Sequence, residues 1–213
     1  MSTKKSDAAK LQKKLPHVRQ FKRMAEPLDI VQAMDRMFGA WFSGESWNAW
    51  RAILKAAYAL AMTPEEIATF RTVSGDRDPP KKRVKELWCI AGRRAGKDSI
   101  ASLIVAFAAV FFVVGYDKLR GGEIATCACL ACDRDQARII LNYIRSFFSN
   151  LPPLREMVRR ETREGLLLQN DCEIVVQTNN FRSVRGKPIL VGVLDEVAFY
   201  RAEDTSNPDV ETY

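Results

Sequence analysis

AGRRAGKDS, residues 91–99, is the stretch from which the rest of the chain is read. A short apolar run, Leu87 to Ala91, leads into it, and a long apolar helix is expected to leave it from about residue 98. Strand, glycine-containing turn and helix, in that order, bring backbone N–H groups and the positive end of a helix around an anion. A lysine closing the turn adds a fixed charge suited to the β- and γ-phosphates of a nucleotide. The candidate contacts are Gly92, Arg93, Arg94, Ala95, Gly96, Lys97, Asp98 and Ser99. Against the pattern G-x-x-x-x-G-K-[ST], Ala91 replaces the first glycine and Asp98 replaces the hydroxyl residue. Taken alone, the turn also admits a plainer origin, a Gly-Lys pair that happens to begin a helix.

Downstream, ILVGVLDEVAFY (residues 189–200) is an apolar strand that ends in adjacent acids, Asp195 and Glu196. Beside a nucleotide, the first acid suits Mg²⁺ and the second suits polarisation of an attacking water. The alternative is a strand end with solvated carboxylates. Between the two motifs the chain alternates strand and helix. Ile124 to Ala131 is an almost unbroken apolar strand, as in a parallel sheet covered on both faces. Residues 134–148 read as a helix that Asp133 and Gln136 can cap. Leu166–Gln169 and Glu173–Gln177 read as a hairpin turning at Asn170-Asp171. This alternation predicts an α/β sandwich with a mainly parallel sheet. The stretch RSVRGKP, starting at Arg182, puts three cations in a glycine- and proline-containing loop. Arg185 there suits a transferring phosphate, a DNA phosphate or a solvated turn equally.

Upstream, helical spacing begins at residue 28 with Ile30, Val31, Met34, Met37 and Phe38, and resumes with Trp50, Ile53, Leu54, Ala57 and Ala61. Thr63, Pro64 and Glu66 form a capping-box start for a third helix. Residues 72–83 (TVSGDRDPPKKR) are the expected linker. The organisation expected is a basic arm over 1–25, a helical segment and linker over 26–83, and a core over 84–213.

The chain has 213 residues, of which 47% are hydrophobic, enough for a sizeable core. Its formal charge of +7 resides in residues 1–25, where eight basic side chains face one acid, Asp7; the rest balances at 25 against 25. Such an arm suits an anionic surface such as nucleic acid, or serves only as a solubilising terminus. Residues 99–116 carry no charge and reach about 18 residues, the lower edge of a membrane span. They start directly on Lys97-Asp98 and lack aromatic anchors at both ends, so a helix packed on a sheet is the reading adopted. Five cysteines, an odd number, and no secretory signal point to a reducing, intracellular compartment. Cys129-x-x-Cys132 has zinc-like spacing, but its place at an apolar strand favours buried thiols. His17 is the only histidine, and no pattern supports Ser/His or Cys/His catalysis.

Together, AGRRAGKDS, CACLACDRDQAR, RSVRGKP and VLDEVAF resemble the N-terminal ATPase domain of tailed-phage terminase large subunits, and GESWNAWRAILKAAYAL and SGDRDPP resemble the segment before the phosphate loop there. The resemblance runs from about residue 40 to 201. It implies a P-loop NTPase fold of the ASCE (RecA-like) kind, a three-layer sandwich preceded by a helical segment. It implies ATP and Mg²⁺ as cofactors and an ATP-driven motor that packages double-stranded DNA into procapsids. Implied partners are the portal protein, the small terminase subunit and further copies in a ring. The implied setting is the host cytoplasm, transiently at the procapsid portal. By position, Lys97 is the phosphate-loop (Walker A) lysine and Arg93 the loop arginine that senses γ-phosphate. Asp195 and Glu196 are the Walker B metal acid and the catalytic glutamate, and Arg185 is the finger toward the next subunit's ATP. With Asp98 in the hydroxyl position, metal ligation falls to Asp98 or Ser99. No adenine-binding glutamine is evident in residues 46–51, and the coupling motif and nuclease domain of the family are not expected within this chain. The competing readings are a truncated, non-catalytic module that binds DNA or assembly partners, and another helicase-like P-loop ATPase.

Overall fold

The computed structural model describes residues 28–111, 119, 122–178 and 186–200. The chain forms two compact units, Leu28–Phe107 and the described residues from Ala108 onward.

In the first unit, α1 (Ile30–Arg36) starts at Asp29, whose carboxylate accepts from the backbone N–H of Val31 and Gln32 while Gln32 reaches back to the Asp29 N–H. That reciprocal cap satisfies donors a helix start otherwise leaves open. Ile30, Ala33 and Met34 are fully buried, with Phe38 and Phe42 beyond them. A 3₁₀ turn (Glu45–Trp47) leads into α2 (Asn48–Ala57). This helix ends before Ala61, because Ala59 takes a left-handed φ of 53° that no helix continues through. The Thr63/Glu66 capping box opens α3 (Pro64–Ser74) as the sequence predicts. Glu66 also pairs with Lys55 of α2 at 2.6 Å. α3 runs into the expected linker as far as Ser74 and stops at Gly75, which takes the left-handed φ of 69°.

Helix α4 (Lys97–Phe111) follows the AGRRAGKDS turn. No helix among the described residues is long and apolar enough to cross a membrane.

The second unit is built on a five-stranded mixed sheet of order β2-β3-β4-β1-β5, with β1 (Ala125–Ala131), β2 (Val158–Thr162), β3 (Gly165–Leu168), β4 (Cys172–Thr178) and β5 (Ile189–Leu194). β1 is parallel to both β4 and β5, whereas β2–β3 and β3–β4 are antiparallel, so only β3 runs against the rest. The α/β class with a mostly parallel sheet therefore stands, compatible with a three-layer arrangement. Every residue of β1 is buried, as its apolar run demands. α5 (Arg134–Asn150) begins at Asp133, whose carboxylate accepts from the Asp135 and Gln136 N–H groups. Its stripe Ala137, Ile140, Leu141, Ile144, Phe147, Phe148 is buried, and the helix packs on β1 and β4. A short helix, α6 (Pro152–Met157), leads to β2. The β3–β4 hairpin turns where expected, with Asp171 at a φ of 56° and the Asn170 amide turned inward to donate to the Ala109 carbonyl at 2.8 Å.

The strand expected before the turn does not form. Leu87 to Ala91 is not a strand of the sheet: Leu87 is 44%, Trp88 66% and Ile90 fully exposed, and the segment takes no place in the strand order. Apolar character makes a run seek cover, but a strand also needs an edge to pair with, and an isolated run of five cannot specify which edge.

Candidate active site

The candidate residues divide between the two units. The turn from Gly92 to Ser99 belongs to the first and Asp195 and Glu196 to the second. Arg185 lies outside the described residues.

In the first unit, the Ala95 N–H donates to the Gly92 carbonyl at 3.2 Å, closing a tight turn, and the Ile100 N–H donates to Gly96 at 3.0 Å, opening α4. Arg94 and Gly96 take left-handed φ values of 62° and 81°. Alternating handedness of this kind is found in anion-binding nests, with the Ala95 N–H here taken by the Gly92 carbonyl. Arg94 adopts it at the cost of about 1–2 kcal/mol that a glycine would not incur. Gly96 has little alternative, since a Cβ there would lie 2.7 Å from Cη2 and Cζ3 of Trp47. Arg93 and Arg94 are exposed, while Lys97, Asp98 and Ser99 are half-buried in the first turn of α4. The Lys97 ammonium sits 3.0 Å from Asp98 Oδ1. Lys97 thus has a carboxylate partner in the residue that replaces the hydroxyl of the consensus. Farther along α4, the Ser102 hydroxyl donates to the Asp98 carbonyl at 2.6 Å.

Sequence reasoning missed the tryptophans that hold this turn. The Trp50 indole N–H donates to the Ala95 carbonyl at 2.7 Å across 45 residues. The spacing of α2 carries no sign of that contact. Trp47 stacks edge-on to buried Phe42 at 4.9 Å.

In the second unit, β5 delivers the acids. The Asp195 N–H continues the ladder to the Leu130 carbonyl at 2.8 Å, and the residue is only 8% exposed. Glu196 takes a left-handed φ of 54°, turning the chain out of the strand into a 3₁₀ turn, Val197–Phe199. The Tyr200 hydroxyl returns to the Leu130 carbonyl at 3.0 Å and fastens that turn to β1. The Cys132 thiol, at the end of β1, lies 3.8 Å from Glu196 Oε2 and 3.7 Å from Asp133 Oδ2. Burial, then the charges of Asp133 and Glu196, push this thiol's pKa up. Cys129 is pushed up to about 12 by burial and by the neighbouring Asp195 charge. Both therefore stand as neutral thiols at physiological pH.

Of the three cations in RSVRGKP, Lys187 is committed: its ammonium pairs with Glu173 at 2.8 Å, and the same carboxylate oxygen accepts from Thr126. Among the described residues no group of three His, Cys, Asp or Glu side chains is arranged to hold a metal ion. No protein-family model, curated protein or solved structure matches this chain.

Proposed function

We propose that the chain is a P-loop ATPase, the motor domain of a phage DNA-packaging terminase large subunit that couples ATP hydrolysis to translocation of double-stranded DNA. The observation that carries this reading is the turn at residues 92–97, with left-handed Arg94 and Gly96, a lysine, and a fifteen-residue helix behind it. Its N–H groups, the α4 N-terminus and Lys97 together suit the β- and γ-phosphates. Asp195 and Asp98 are the residues to hold Mg²⁺, which supplies neutralisation of the phosphate oxygens when bound. Glu196 accepts the proton of the attacking water, from a left-handed backbone position where the chain leaves the strand. Arg93 and Arg185 supply positive charge to the γ-phosphate, the latter to a neighbouring subunit. In this reading the basic arm meets DNA, and the chain works in the host cytoplasm, at the portal, with the portal protein, the small terminase subunit and further copies of itself.

The test is ATP turnover by the purified chain with and without double-stranded DNA. Turnover that DNA stimulates supports the motor; binding of DNA with no turnover at any protein concentration refutes it. A second reading, a non-catalytic DNA- or assembly-binding module, is favoured by the uncovered 87–91 run, because a phosphate turn is normally braced by the strand before it.

A further inference from the structure

The phosphate-turn reading leaves open what braces a turn whose leading segment is in no sheet. The helical segment before it offers an answer within the same unit. The Trp50 indole holds the Ala95 carbonyl at 2.7 Å. In a trans peptide the carbonyl and the following N–H point in opposite directions. Tying the Ala95 oxygen to Trp50 therefore aims the Gly96 N–H away from the indole and fixes one donor of the nest. Trp47 supplies a second, independent restraint, since its ring edge lies where any side chain at residue 96 would go.

The Trp47 ring and the helix that carries Trp50 are themselves held. Trp47 packs on Phe42, which is fully buried. Arg51, one residue beyond Trp50, donates to the carbonyls of Phe42 at 2.8 Å and Gly44 at 3.1 Å and pairs with Asp35 of α1 at 2.8 Å. The guanidinium thereby ties α2 to α1 and to the loop that carries Trp47. The restraint on the turn reaches into a packed core rather than ending in two loose side chains.

We propose that Trp50, with Trp47, is a positioning residue for the phosphate turn, so that the 44–57 segment sets the affinity of the 92–97 turn for a nucleotide's phosphates. This rests on the phosphate reading of that turn. Trp50→Phe keeps the ring and deletes the donor; Trp47→Leu keeps an apolar side chain and deletes the ring edge. Two readouts are taken on the full chain. Trypsin cleavage after Arg93 and Arg94, without nucleotide, reports the turn itself. ATP affinity by calorimetry reports its use.

Trp50→Phe is expected to speed cleavage at Arg93 and Arg94 severalfold while leaving Arg71 and Arg155 unchanged. It should weaken ATP about threefold to tenfold, the worth of one neutral hydrogen bond. Trp47→Leu should move both readouts in the same direction. Unchanged cleavage in both variants overturns the brace, and so does faster cleavage at every site in both, which marks general unfolding. ATP binding that both variants leave unaltered overturns the link to phosphate affinity while the phosphate reading survives. No ATP binding by the unsubstituted chain overturns that reading, and this proposal with it.

Discussion

In the proposed phosphate turn, Asp98 takes the position of a magnesium-ligating serine or threonine and pairs with Lys97. The Lys97–Asp98 contact is 3.0 Å, between side chains 32% and 30% exposed. At that exposure the net worth of an ion pair is about 0.2–1 kcal/mol, far below its unscreened Coulomb energy. A phosphate entering the turn must take over this partner. It must also approach a carboxylate of its own sign: a unit charge about 6 Å away costs roughly 0.7–1.4 kcal/mol at an effective dielectric of about 40–80. Asp98→Ser removes both terms, together about 1–2 kcal/mol, so metal-free ATP should bind about five- to thirtyfold more tightly. Titration calorimetry in the presence of a chelator isolates this effect from magnesium ligation, and a parallel titration with Mg²⁺ tests ligation separately. Unchanged or weaker binding of metal-free ATP by Asp98→Ser would refute the reasoning. Weaker binding confined to the Mg²⁺ titration would assign Asp98 to the metal.

Asn170→Leu should cost roughly 1–3 kcal/mol in urea denaturation, because the buried amide's bond to the Ala109 carbonyl at the end of α4 goes unreplaced; a loss below about 0.5 kcal/mol would deny it that capping role. Thr63→Ala should cost about 1 kcal/mol by the same assay, the usual worth of an N-cap, and no change would mean the capping box contributes nothing to α3. Under native conditions at pH 8, iodoacetamide should label Cys89 and Cys132 slowly, since burial pushes both thiols up, and spare the buried Cys127, Cys129 and Cys172; rapid labelling of Cys129 would contradict its place inside β1.

Where the fold was legible, local chemistry and burial agreed. Thr63-Pro64 with Glu66 specifies a helix start by itself, and Asp133 does the same for α5. The run through Ala125–Ala131 is apolar at nearly every position because both its faces are covered. Asn170-Asp171 marks a turn because Asp171 tolerates a left-handed φ. β2 escaped notice because VRRET is charged and exposed, held by its ladder to β3 rather than by an apolar face. The Asp29/Gln32 cap was present as a residue pattern but is short and easily passed over. Leu87 to Ala91 misled because an apolar run of five looks the same whether or not a neighbouring edge accepts it. At the candidate site, the turn and the acidic pair are visible as residue types. The Trp50–Ala95 bond and the Lys97–Asp98 pair are not: the first spans 45 residues, and the second depends on a side-chain rotamer.

The central proposal is that Lys97 binds the phosphates of a nucleotide and that Glu196 supplies the base for its hydrolysis. Calorimetric ATP binding and single-turnover hydrolysis, measured on the unsubstituted chain, Lys97→Ala and Glu196→Gln, address it directly. The account predicts that Lys97→Ala loses binding, whereas Glu196→Gln keeps it and loses turnover by about two to four orders of magnitude. Binding retained in Lys97→Ala, or turnover retained in Glu196→Gln, would contradict it.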